Sequence, residues 1–312
     1  MSKKIAMIFP GQGSQKVGML SQLSQQESVV ADIFNQASEV LNIDLWKITQ
    51  ENPDDLLNQT AYTQPALLAA SYALWKIWLK RGGQQPEIMA GHSLGEYSAL
   101  VCAQAMPFED AIHLVHKRGI YMQEAVPQGQ GAMAAIIGLS PEQVAQACML
   151  VGDNAIVQPA NINAHGQVVI SGESEAVQAA MTHAKSLGAK LAKLLPVSVP
   201  SHCSLMKPAA QKLAEDLNKI SFKLPKISVL HNVNVEVSHS VEDLKARLIE
   251  QLYSPVRWVE TIEKMEAHGV FSLFECGPGK VLAGLSKRIT ANLTTLALDT
   301  DDISSLIEEV VT

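Results

Sequence analysis

Charge is scarce in this sequence: Asp, Glu, Lys and Arg make up 18% of its 312 residues, against ~25% in an average soluble chain, which excludes a disordered or supercharged protein. Basic residues are the scarcer kind. There are 24 Lys and Arg against 31 Asp and Glu, for a net charge of −7. No Lys/Arg block is long enough to neutralise a run of phosphates, so nucleic acid is not an expected partner. The cysteines are four (Cys102, Cys148, Cys203, Cys276), with no CxxC pair. That pattern fits free thiols in a reducing cytoplasm rather than a disulfide frame or a zinc site. No apolar run approaches the ~18 residues of a membrane span. The apolar residues 5–9 after Lys3-Lys4, closed at once by Pro10-Gly11, are too short for a secretory signal. What remains is a chain 47% hydrophobic that buries a real core, as one large domain with an insert or as two domains at roughly 100–200 residues each. The expected location is the cytoplasm, away from membranes.

The first 125 residues alternate short apolar strands with amphipathic helices. Residues 4–9 and 88–90 read as strands, and 29–41, 66–80, 94–105 and 109–123 as helices, an order that implies a parallel sheet covered on both faces. The texture changes between about 128 and 199. Strand-like 131–138, helical 141–150, strands 155–160 and 167–171, helical 174–186 and extended 189–199 make the β-α-β-β-α-β order of a ferredoxin-like unit. Pro127, Gly129, Pro196 and Pro200 are plausible hinges of such an insert. After Pro200 the alternation resumes, with helices over 204–217 and 241–252, strands over 226–232, 270–275 and 294–298, and a helix after Gly277-Pro278-Gly279. These segments complete the first sheet. The expected division is residues 1–127 with 200–312 as an α/β domain with a mostly parallel sheet, and 128–199 as the inserted domain.

Gly91-His92-Ser93-Leu94-Gly95 fits G-x-S-x-G in its required setting, a short strand before it and a helix after it. The sharp turn projects the Ser93 hydroxyl at a helix N-terminus, where free N–H groups favour a developing anion. A serine needs a base within hydrogen-bond reach. Of the nine histidines, His92 sits on the strand side of the turn and should point away from Ser93. His113 and His116, at i,i+3, suit a metal only with a third ligand that no motif marks, so they read as ordinary helix residues. His202, in Pro200-Ser201-His202 where an extended segment meets a helix, is the best-placed base. No Asp or Glu stands out to orient it, which leaves a dyad oriented by a carbonyl. The oxyanion donors are the backbone N–H of Leu94 and one from the loop Pro10-Gly11-Gln12-Gly13, whose glycines allow close approach. A dinucleotide loop is disfavoured there, because Lys16 stands at the third glycine position of G-x-G-x-x-G. Arg118 either offers a planar fork for a carboxylate or is a solvated helix residue.

Taken together, Gly11-Gln12-Gly13-Ser14-Gln15, Gly91-His92-Ser93-Leu94-Gly95-Glu96, Arg118-Gly119-x-x-Met122-Gln123, Pro200-Ser201-His202 and Gly277-Pro278-Gly279 resemble, in order and spacing, the malonyl-CoA:acyl carrier protein transacylases of bacterial fatty-acid synthesis. The resemblance runs from about residue 5 to residue 298. It implies an α/β-hydrolase-like large domain with a ferredoxin-like insert, Ser93 as the acylated nucleophile and His202 as its base. It also implies backbone oxyanion donors at Gln12 and Leu94, a main-chain carbonyl at Gln251 orienting the histidine, and Arg118 as the clamp on the malonyl carboxylate. Met122, Gln64 and Asn161 are expected near the substrate. The implied substrates are malonyl-CoA and acyl carrier protein, with no metal or other cofactor. A serine hydrolase or thioesterase would use the same elbow and base with water as acceptor, and a non-catalytic carrier-binding subunit would not need them intact. Lys190, Lys193, Lys280, Lys287 and Arg288 are candidates for docking an acidic carrier, since overall charge would repel it. Ser201, the small residue before the base, does not exclude a methyl-branched acyl group.

Overall fold

In the computed structural model, which describes residues 4–197, 199–300 and 302–311, the strands are β1 Lys4–Phe9, β2 Ile88–Gly91, β3 Gly131–Ile137, β4 Val157–Ala164, β5 Gln167–Glu173, β6 Leu191–Leu194, β7 Ser228–Leu230, β8 Val270–Glu275 and β9 Thr294–Ala297. Five of them form one sheet in the order β7-β2-β1-β8-β9, every pair parallel. The central strand β1 is apolar without alternation because both of its faces are covered. Ile5, Met7 and Phe9 enter one apolar cluster, and Ala6 and Ile8 enter the cluster on the other side, as a side-chain period of two requires.

The other four strands form an antiparallel sheet in the order β4-β5-β3-β6, the ferredoxin-like arrangement. Period two again divides its faces. Ala134, Ile136, Val168 and Ile170 pack under the helices Pro141–Met149 and Ser174–Ser186, while Met133 and Val169 face the opposite way, with Leu195 and Val197 beside them. The small sheet is tied to the rest of the molecule by an isolated parallel bridge between Asn161 and Val256. The Ile162 N–H donates to the Val256 carbonyl at 2.9 Å and the Val256 N–H to the Ala160 carbonyl at 2.9 Å.

The helix expected from residue 66 begins at Thr60 and runs through Pro65 to Lys80. Proline normally ends a helix by leaving the carbonyl four residues back without a donor. Here the Ala61 carbonyl is taken by His116 Nδ1 at 2.8 Å, and the Ala61 N–H is taken by Gln123 Oε1 at 3.1 Å. Both partners come from the helix Phe108–Glu124, so His116 is a helix-joining residue. Helices Leu45–Glu51, Trp258–Ala267 and Ile303–Val311 were not expected from the sequence. The extended segment expected over 189–199 is a strand only at Leu191–Leu194, and Ser198 within it lies outside the described residues. All four cysteines are free and buried. Among the described residues, no helix is long and apolar enough to cross a membrane.

Candidate active site

Strand β2 ends at Gly91 and the helix Leu94–Cys102 starts three residues on, so the chain reverses within one turn. A Cβ at Gly91 would lie 1.8 Å from the Gly95 carbonyl carbon, which is why glycine is needed there. Ser93 takes φ 51°, ψ −109°, a strained left-handed conformation that persists only when its surroundings hold it. Asn232, just past β7, supplies the hold. Its Oδ1 accepts from the Ser93 N–H at 2.8 Å and its Nδ2 donates to the Gly91 carbonyl at 2.6 Å. The N–H groups of Leu94 and Gln12 donate to no group among the described residues, and both residues line the cavity above Ser93. They are unspent donors of the kind an oxyanion requires.

His202 also sits at positive φ, 63°, with its own N–H donating to the Leu252 carbonyl at 3.0 Å. Its Nδ1 is 2.8 Å from the Gln251 carbonyl and its Nε2 is 2.8 Å from Ser93 Oγ. A carbonyl can only accept, so the proton is on Nδ1 and Nε2 is left bare toward the serine hydroxyl. Burial, helped by the nearby Arg118 charge, pushes the imidazole pKa down to about 3. The ring is therefore neutral and able to accept a proton.

Arg118 projects from the helix Phe108–Glu124 and is 1% exposed. One guanidinium nitrogen donates to Gln64 Oε1 at 2.8 Å, and the other to Gln251 Oε1 at 2.9 Å and Ser93 Oγ at 3.3 Å. The guanidinium carbon lies 5.3 Å from the centre of the Tyr97 ring. Gly119 lets this helix approach its neighbour closely enough for the Gln64 contact, since a Cβ there would fall 2.5 Å from the Ala61 Cα. Gln64 is oriented in turn by its Nε2, which donates to Met122 Sδ at 3.6 Å. All the acceptors around Arg118 are neutral, and among the described residues no carboxylate pairs with it. Burial accordingly lowers its pKa from the ordinary value. A desolvated cation held by neutral groups is a site for an anion.

The cavity these groups share measures about 180 Å³. Ser93, His202, Arg118, Gln12, Leu94, Gln64, Met122 and Asn161, all singled out from the sequence, line it. Met133 and Val169 of the small sheet, with Leu195 and Val197 just beyond its last strand, form its apolar wall. Gln251 is fully buried behind Arg118 and His202. His92 does point away from the Ser93 hydroxyl, to Asn163 Oδ1 at 2.8 Å, with its ring edge-on to Trp258. The sequence reading missed Asn232, Asn163 and the buried Glu96. Glu96 stands inside the elbow motif itself, and an acidic residue in the first turn of a buried helix is a signal that could have found it.

Comparison with known proteins agrees with this geometry. A family model described as the acyl transferase domain matches residues 6–283. The malonyl CoA-acyl carrier protein transacylase of Escherichia coli (strain K12) is 53% identical over 296 residues, covering 95% of this chain and 96% of that protein. The solved structure of the malonyl CoA-acyl carrier protein transacylase of Coxiella burnetii superposes with a TM-score of 0.96 at 51% identity, covering 100% of this chain and 98% of that one. A malonyl-transacylase solved in complex with a type II PKS acyl-carrier protein gives a TM-score of 0.96 at 52% identity, covering 98% and 99%. Identity of this extent, with a strained serine, a neutral histidine and a buried arginine meeting in one cavity, means that the chain belongs to the malonyl-CoA:acyl carrier protein transacylase family.

Proposed function

We propose that this protein transfers a malonyl group from coenzyme A to the phosphopantetheine thiol of acyl carrier protein through a malonyl-Ser93 intermediate, in fatty-acid synthesis. The observation that carries this reading is the Arg118 guanidinium, buried without a carboxylate partner among the described residues and 3.3 Å from Ser93 Oγ. It lies where the free carboxylate of an acyl group attached to Ser93 could reach it.

In the first half-reaction Ser93 Oγ bonds to the thioester carbonyl carbon as its proton passes to His202 Nε2. The Gln12 and Leu94 N–H groups receive the negative oxygen. Collapse re-forms the carbonyl and breaks the C–S bond, and the His202 proton goes to the departing sulfur. In the second, the carrier thiol gives its proton to His202 and attacks the malonyl ester, and Ser93 recovers the proton as it leaves. The bonds broken and formed are both thioesters, so the exchange is reversible. Side chains and main-chain amides carry every step, and no metal or redox cofactor is required. Ser93 follows β2 of the parallel sheet and Met133 and Val169 of the antiparallel sheet supply part of the cavity wall, with residues 128–199 taken as the inserted domain. The carrier, acidic in this family, would dock through exposed basic residues such as Lys190, Lys193 and Arg288, and the cytoplasm is the expected location.

Arg118 charge also weighs on the base. It lowers the His202 pKa, so a malonyl carboxylate that neutralises the guanidinium makes the imidazole a better proton acceptor, whereas an acetyl group does not. Incubation with malonyl-CoA followed by peptide mass spectrometry tests the proposal. The expected result is a malonyl adduct on Ser93 that persists until a carrier thiol is added. Turnover without any thiol acceptor would show a hydrolase instead, and an unlabelled Ser93 would overturn the reading.

A further inference from the structure

Resting on that reading, we infer that Glu96 is a positioning residue for acyl selectivity, acting through the side chain of Gln251, which it turns so that its oxygen meets Arg118. Glu96 is fully buried in the first turn of the helix that follows the nucleophile. Its Oε1 accepts from His231 Nδ1 at 2.7 Å, and its Oε2 accepts from the Asn232 N–H at 3.0 Å and from Gln251 Nε2 at 2.9 Å. A carboxylate offers acceptors only and a guanidinium donors only. Between the two, the Gln251 amide has one satisfied orientation, with its NH2 toward Glu96 and its oxygen toward Arg118. Its other N–H donates to the Ser93 carbonyl at 3.0 Å. The reversed amide would set donor against donor at the clamp and acceptor against acceptor at both other contacts.

Gln251 therefore serves two groups with two different oxygens. Its main-chain oxygen fixes the His202 tautomer, and its side-chain oxygen at 2.9 Å fixes the fork of Arg118. Glu96 has no contact with the cavity. Its charge also acts on the Arg118 guanidinium through space, but its geometric influence runs through the amide it keeps turned, because a guanidinium displaced by a fraction of an ångström loses the two-pronged geometry that distinguishes malonyl from acetyl. A glutamine at position 96 could keep the arrangement. Its oxygen would accept from Gln251 and Asn232 while its NH2 faced His231, whose ring would take the other tautomer and donate to Ser238 Oγ.

The test measures kcat/KM for malonyl-CoA and for acetyl-CoA in acylation of Ser93, per folded molecule, in Glu96→Ala, Glu96→Gln, Gln251→Met and the Glu96→Ala/Gln251→Met double variant. Gln251→Met and Glu96→Ala should each lower the malonyl-to-acetyl ratio by about tenfold or more, and the double variant should lower it no further than either alone, as expected for residues acting in series. Glu96→Gln should stay within about threefold of the parent. A purely structural Glu96 would lower the melting temperature and leave the ratio unchanged, and that result overturns the inference. So do additive losses in the double variant. Should Glu96→Ala not fold, the other two single variants decide: a Gln251→Met enzyme that discriminates like the parent, or a Glu96→Gln enzyme that discriminates as poorly as Gln251→Met, refutes the mechanism. Failure of the parent to form malonyl-Ser93 at all would strike the proposed function and is read separately.

Discussion

Two serine–histidine contacts lie near each other in this molecule, and the one with the more familiar geometry is not the one at the cavity. His231 has a carboxylate, Glu96, on one ring nitrogen at 2.7 Å and a serine, Ser238, on the other at 2.6 Å, the full acid–histidine–serine arrangement. His202 has only a main-chain carbonyl behind it, with Ser93 in front at 2.8 Å. What separates the two is the setting of the serine. Ser93 occupies a left-handed turn at a helix N-terminus, beside a buried cation and free N–H donors, while Ser238 is absent from the positive-φ residues. On the proposed mechanism, an acid behind the imidazole is thus neither necessary nor sufficient for nucleophilic chemistry. A carbonyl fixes the tautomer as well, and the charge proposed to govern selectivity stands on the substrate side.

The sharpest way to break that comparison is to delete each serine. Ser93→Ala should abolish malonyl loading in the mass-spectrometric assay, whereas Ser238→Ala should load the acyl group within about threefold of the parent rate. His202→Ala should slow loading by roughly 10²–10⁴-fold, the usual contribution of a general base. Arg118→Ala should come next, lowering malonyl kcat/KM by about 10²-fold through the lost charge-assisted bonds while sparing or raising acetyl transfer. Equal malonyl rates in variant and parent would remove the clamp. The same variant sharpens the electrostatic contrast, because removing a cation that lowers the His202 pKa must raise it. The acid limb of the acetyl-transfer pH profile should then move to higher pH than in the parent.

Stability carries a related signature with a definite sign. The His202 pKa, about 3 in the folded protein, lies below the ordinary ~6.5 of an unfolded chain. Only the unfolded state takes up a proton between those values. The His202 contribution to stability is thus unaffected above about pH 6.5 and is lost progressively as pH falls toward 3. Denaturant midpoints measured across that range should fall less steeply in Arg118→Ala, provided the variant's folded baseline is intact. The smallest expected effect is that of Ser238→Ala on unfolding, about 1 kcal/mol for one hydrogen bond to a buried imidazole.

That Ser93, His202 and Arg118, the proposed nucleophile, base and clamp, share one cavity was legible in the sequence because each is announced by its own neighbours: glycines around Ser93, a proline turn before His202, a glycine after Arg118. The parallel sheet was legible from apolar runs such as β1, and the separate antiparallel sheet from its strand–helix order. The network behind the site was not. Glu96, Asn232 and the Gln251 side chain meet from segments more than 130 residues apart in all three contacts with Glu96 and Ser93, and a polar cluster of that kind leaves no periodicity. The early start of the Thr60–Lys80 helix was hidden for a similar reason. Pro65 reads locally as a stop, and the histidine that makes it tolerable sits 55 residues from the carbonyl it binds.

The short stretch 251–256 concentrates more duties than any motif suggested. Gln251 holds His202, Arg118 and the Ser93 carbonyl, Leu252 fixes the His202 backbone, and Val256 fastens the small sheet. Evolution or an engineer wishing to retune the acyl group accepted by this scaffold therefore has little room there, since one replacement would disturb several distances at once. The freer ground is the opposite wall, where Met133, Val169 and Leu195 contribute only bulk, and where a change of size alters the shape offered to an incoming chain without moving the chemistry.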